Sequence, residues 1–139
     1  MAQYLKHILV LAPHCDDEVL GCGGVIARHA SAGELVHIAI MTNGHLGAPE
    51  LFSASGTEKV RSEALEAHGI LGVSDTHFLD FPAPRLDTVP AYKLALKLSE
   101  LIQRVSPETI YIPHIKIRLN RPLKYSIVLN QKLYLKPLT

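Results

Sequence analysis

The sequence predicts an α/β fold, a Rossmann-like three-layer sandwich around a mostly parallel sheet. Three observations carry this. Short apolar runs of strand length alternate with longer segments of helical period along the 139 residues. The first runs are continuously apolar, the pattern of parallel strands covered on both faces. The composition, 47% hydrophobic and 19% charged, is that of an ordinary globular domain, and the chain is long enough for one core.

The elements follow in order. Residues 7–12 form the first strand, and 13–18 the loop after it. From residue 17 to about 32, Val19, Leu20, Ile26, Ala27 and Ala30 recur at helical spacing. Gly33 then stands where a helix tolerates a left-handed residue. Residues 35–41 form a second buried strand, ended by the turn signal Thr42-Asn43-Gly44. Small and turn residues make 45–56 a loop. A second helix runs from Thr57 to about residue 71, punctuated by Gly69 and Gly72. A third strand covers 76–81, and 82–90 is a loop with three prolines. Residues 91–105 make an amphipathic third helix, stopped by Ser106-Pro107. A fourth strand covers 109–112. Right-handed crossovers constrain the topology. Sites in such sheets gather beyond the carboxyl ends of the strands, where 13–18, 42–44 and 113–114 fall.

Composition also excludes. A membrane helix needs about 20 apolar residues, and the apolar runs here are far shorter. The N-terminal run passes straight into polar residues without a small-residue cleavage site, so it reads as a strand and not a signal peptide. Two cysteines do not make a disulfide scaffold, and a reduced, cytoplasmic setting is expected. Net charge is +1 but lopsided. Residues 1–114 carry 8 Lys and Arg against 13 Asp and Glu, whereas 115–139 carry 6 Lys and Arg and no acid. That tail has no recognised nucleic-acid motif. Neither nucleic acid nor membrane is expected as a partner.

The informative segment is Pro13-His14-Cys15-Asp16-Asp17-Glu18, between a buried strand and a helix. His14 and Asp17 are three residues apart, so a tight turn can point both at one spot. Imidazole and carboxylate are ordinary zinc ligands, and a catalytic zinc keeps a position for water. Asp16 would then face that water and move its proton. Spacing leaves a second reading open, because acids at a helix start also cap it and complement its dipole.

These residues resemble the Pro-His-x-Asp-Asp-Glu signature of the PIG-L/LmbE family of N-acetylglucosamine-type deacetylases. Further features fall in the family's order: Gly21-Cys22-Gly23-Gly24, Thr42-Asn43-Gly44, Arg61-Ser62-Glu63-Ala64 leading to Leu71-Gly72-Val73, and Phe78-Leu79-Asp80-Phe81-Pro82. The likeness covers about residues 6–114. It implies a zinc-dependent hydrolase that removes an N-acetyl group from an amino sugar or related conjugate. It implies His14 and Asp17 as zinc ligands, Asp16 as general base, and Arg61, Asn43 and Gly44 as substrate contacts or pocket rim. Glu63 reads as a partner within its helix or as surface. The family also suggests homo-oligomers. A nucleotide-binding module is disfavoured, since the glycine cluster lies within the first helix and not in the turn before it.

Two departures stand out. The acid often found after Phe-Pro in the family is replaced here by Ala83-Pro84-Arg85. Family members are also longer, with a distal histidine motif that supplies a third ligand. No His or Asp follows His114 in this chain. At the end of a neighbouring strand, His114 is a candidate to substitute as third ligand, with an ordinary loop histidine as the alternative. The expectation is therefore a deacetylase domain over 1–114, with a sheet incomplete at the C-terminus. Residues 115–139 form a basic tail of uncertain origin, read as the product of a frameshift or truncation near 115. A genuine basic hairpin is the alternative. The corresponding alternative function is an inactive fragment or divergent homologue. His7, His29, His37, His68 and His77 show no partner pattern and read as structural, with His45 a candidate for the pocket rim. Cys15 and Cys22 read as small packing residues.

Overall fold

The computed structural model describes residues 4–113 and 125–126. Its elements are β1 (His7–Ala12), α1 (Asp17–Ser31), β2 (Leu35–Asn43), α2 (Gly44–Gly47), α3 (Ala54–Leu71), β3 (Asp75–Pro82), α4 (Ala91–Val105), β4 (Thr109–Pro113) and β5 (Tyr125–Ser126). The strand order is β3-β2-β1-β4-β5. The first four strands are parallel, and β5 runs antiparallel to β4. This is the predicted mostly parallel sheet. The rest of the 115–139 tail, and His114, lie outside the described residues.

Alternation along β1 explains the layering. Ile8, Val10 and Ala12 face one side with Val36, Ile38 and Ile40, and pack against Cys22 and Ile26 of α1. Leu9 and Leu11 face the other side with Ala39, Leu79 and Phe81, and pack against Leu101 and Val105 of α4. Helices α1 and α3 cover the first face, and α4 covers the second. Both faces are dry, which is why β1 reads as an unbroken apolar run.

Helix α1 ends as Gly33 predicts. Gly33 adopts φ 79, its N–H donates to Ala30, and the N–H of Glu34 donates to His29. Other boundaries differ for identifiable reasons. Helix α3 begins at Ala54 instead of Thr57, because the Ser53 hydroxyl caps it by accepting from the Gly56 N–H at 3.0 Å. The predicted loop 45–56 holds the one-turn helix α2. Asn43, expected in a turn or at the pocket rim, is its N-cap and accepts from the Leu46 N–H at 3.2 Å. Strand β2 also runs two residues beyond its predicted end, through a register irregularity against β3 between Ile40 and Thr42.

Candidate active site

The loop after β1 is held from both sides. On one side, the Pro13 carbonyl accepts from the Thr42 N–H at 3.1 Å and from the Thr42 hydroxyl at 2.7 Å. This ties the carboxyl ends of β1 and β2 together. On the other side, Asp17 bends back over the turn. Its Oδ2 accepts from the His14 N–H at 2.9 Å and lies 3.2 Å from His14 Nδ1. The expected pair thus shares one spot. The His14 side chain is 62% exposed and that of Asp17 11%, so the imidazole reaches out while the carboxylate is anchored. The hydrogen bond to Asp17 raises the His14 pKa above its ordinary value, against the opposing effect of burial.

Asp16 occupies the N-cap position of α1 but its side chain makes no cap hydrogen bond, so helix capping does not account for it. Its backbone is left-handed, with φ 104, a costly conformation for a non-glycine residue. The neighbouring Glu18 sustains it. Glu18 Oε2 accepts from the Asp16 N–H at 3.1 Å, and Glu18 Oε1 accepts from His68 Nε2 at 2.7 Å. His68 Nδ1 in turn lies 2.8 Å from the Thr76 hydroxyl. Glu18 and His68 are both fully buried, a pair that bridges α1, α3 and β3. His68 was expected to be structural without a partner. Its partner is the last acid of the motif, and 50 residues of chain between them hide that from a sequence reading. Burial first, then the charges of Asp17 and Glu18, raise the Asp16 pKa. That shift makes a carboxylate a better base near neutrality.

A cavity of about 630 Å³ opens beside His14, within the range of small-molecule sites. His14, Asn43, Gly44 and Arg61 all line it, with an apolar wall of Leu51, Phe52, Val60 and Pro84. Asp16 lies across Cys15 from this cavity, in an adjoining hollow of about 440 Å³. Arg61 stacks on Phe78, 4.5 Å from the ring centroid, and pairs with Asp80. Asn43 donates to the same Asp80 at 3.0 Å. Asp80, unassigned in the sequence reading, is therefore the residue that orients both. Glu63 lies 4.0 Å from Lys59 on the exposed side of α3. His45 donates to the Phe52 carbonyl at 2.8 Å and so braces the pocket wall. The Cys15 and Cys22 thiols are pushed up to about 11, chiefly by burial, which keeps them uncharged.

Residues 9–122 match the PIG-L family, described as GlcNAc-PI de-N-acetylase. The chain belongs to the PIG-L family. The 4-oxalmesaconate hydratase of Pseudomonas putida is 32% identical over 114 residues, spanning 76% of this chain and 42% of the hydratase. A probable N-acetyl-alpha-D-glucosaminyl L-malate deacetylase 2 of Bacillus cereus is 31% identical over 113 residues, spanning 76% of this chain and 50% of that one. The N,N'-diacetylchitobiose deacetylase of Pyrococcus horikoshii superposes with a TM-score of 0.70 at 24% identity, covering 84% of this chain and 44% of that one. That last likeness is one of fold. The chain spans half or less of the length of these relatives. Among the described residues, no helix is long and apolar enough to cross a membrane.

Proposed function

We propose that the protein is a zinc-dependent amide hydrolase that removes the N-acetyl group of an amino sugar or related conjugate. The observation that carries this is the convergence of His14 and Asp17, 3.2 Å apart, at the mouth of a sugar-sized cavity. Donors around a tetrahedral zinc lie about 3.3 Å apart, so the pair fits such an ion with little movement. His114, which lies outside the described residues, is the candidate for the third ligand. A bound divalent cation would polarise an amide carbonyl and lower the pKa of water. Asp16, with its raised pKa, takes a proton from the attacking water and returns it to the departing nitrogen. The apolar wall suits a sugar face and the acetyl methyl, and Asn43 and Gly44 shape the rim. Arg61, fixed by Asp80, supplies hydrogen bonds to hydroxyl groups.

The hydratase relative makes water addition to an acidic substrate a second reading. The cavity argues against it. Arg61 is the one Lys or Arg among the described lining residues, and Asp80 already matches its charge. Beyond the cation proposed at His14 and Asp17, a substrate with several carboxylates would find no unpaired Lys or Arg among the described lining residues. A cytoplasmic setting is supported by the two free thiols. Assembly of copies is supported by apolar residues left exposed on α1 and α3, such as Leu20 and Ile70.

The test is acetate release from N-acetylglucosamine conjugates by the zinc-loaded chain, run beside hydration of an oxalmesaconate. Acetate release is expected, falling about 10²–10⁴-fold in Asp16→Asn. Hydration without acetate release would replace this reading by the second.

A further inference from the structure

The amino ends of the strands carry a second group of donors, on the face of the sheet opposite α1. His37 is the third residue of β2, and Asp75 and His77 are the first and third of β3. Asp75 is the register partner of His37, and His77 is paired with Ala39. Residues two apart on a strand share a face, so Asp75 and His77 both flank the His37 ring. One donor atom from each of the three lies within 4.8 Å of the others. The group is separated from His14 by the stretch of β2 from His37 to Asn43, about 20 Å at 3.3 Å per residue.

The spacing is informative. His37 Nδ1 lies 3.5 Å from His77 Nε2, and Asp75 Oδ2 lies 3.6 Å from the same nitrogen. Good hydrogen bonds are shorter, near 2.9–3.0 Å. Donors that share a tetrahedral zinc stand about 3.3–3.5 Å apart. His7 adds a second feature. Its Nδ1 lies 3.1 Å from His37 Nε2, and the two rings stack with centroids 5.2 Å apart. If His37 donates its Nε2–H to His7, its Nδ1 lone pair faces His77. A metal-bound histidine commonly has its other ring nitrogen held in this way.

We propose that His37, Asp75 and His77 form a second divalent-metal site, of zinc type, with His7 as the residue that orients His37. Two imidazoles and a carboxylate suit zinc. A fourth position is left to water, since the Asp75 side chain is 61% exposed and the site opens at the sheet edge. The charge of Arg104 near His77 opposes the cation and that of Asp75 offsets it. The site lies away from the carboxyl-end chemistry, so it serves to clamp the edge strand β3 to β2.

The test is a zinc titration of the metal-stripped full chain, with bound metal counted by elemental analysis. Two equivalents are expected for the unaltered chain. Asp17→Ala should keep the amino-end equivalent. Asp75→Asn, at an exposed position where folding is not at stake, and His77→Gln should lose it and keep the other. His7→Leu should weaken the amino-end site about 10–100-fold. A chain that binds one equivalent, lost in His77→Gln but not in Asp17→Ala, would support this site while removing zinc from the proposed active site. Folded Asp75→Asn and His77→Gln proteins that titrate like the unaltered chain would overturn it.

Discussion

The two ends of the sheet solve different problems with similar residues. At the carboxyl ends, His14, Asp16, Asp17 and Glu18 of the motif and the buried His68 hold a strained turn in place, and the Asp17 and Glu18 carboxylates are fixed before any ligand arrives. At the amino ends, donors from separate strands meet at partly exposed positions, with no turn, no strain and few bonds to hold them. The first arrangement is preorganised, as chemistry on a substrate requires. The second is adaptable, as an ion that draws its own ligands together allows. Buried bonding, more than the kinds of residue present, separates the proposed active site from the proposed second metal site.

The sharpest way to break this contrast is at Glu18. Glu18→Ala leaves His68 buried without its partner and frees the Asp16 N–H. A loss of about 3–5 kcal/mol is expected in denaturant unfolding, with the Asp16 turn relaxing out of its left-handed conformation. A small loss would mean that the turn is not held from below. Gly47→Ala is the next largest. A Cβ there would collide with the backbone of Ala83, so about 1–3 kcal/mol should be lost and the pocket wall should shift. Thermal unfolding and substrate KM would record both.

A third prediction concerns protons. In the metal-free chain, the folded-state pKa of His14 is raised by Asp17. The pair therefore stabilises the fold below the unfolded-state pKa, and the contribution is lost as pH rises through the folded value. NMR titration should place His14 above an ordinary histidine, and Asp17→Asn should bring it down. Zinc competes with that proton, so uptake at His14 should weaken as pH falls. The smallest effect is expected at the other end. Asp75→Asn changes an exposed carboxylate and should alter stability by less than about 0.5 kcal/mol without metal. A large loss there would show that the amino end is built as tightly as the carboxyl end.

What could be read from the sequence follows the same division. The strands, α1 and α4 were legible because their apolar periods are long and both sheet faces are dry. The His14–Asp17 turn was legible because its residues are contiguous. The early start of α3 was not, since Ser53 caps a first turn of Ala, Ser and Gly that resembles loop. Asp80 was missed because its role comes from Arg61 and Asn43 reaching it from other elements. The histidines at 7, 37 and 77 show no partner in the sequence for the same reason: only strand register brings them together.

The most direct measurement is anomalous diffraction at the zinc edge from crystals of the zinc-loaded chain. A peak about 2.0–2.2 Å from both an imidazole nitrogen of His14 and a carboxylate oxygen of Asp17 is predicted. Zinc-loaded crystals with no peak between those two residues would contradict the account.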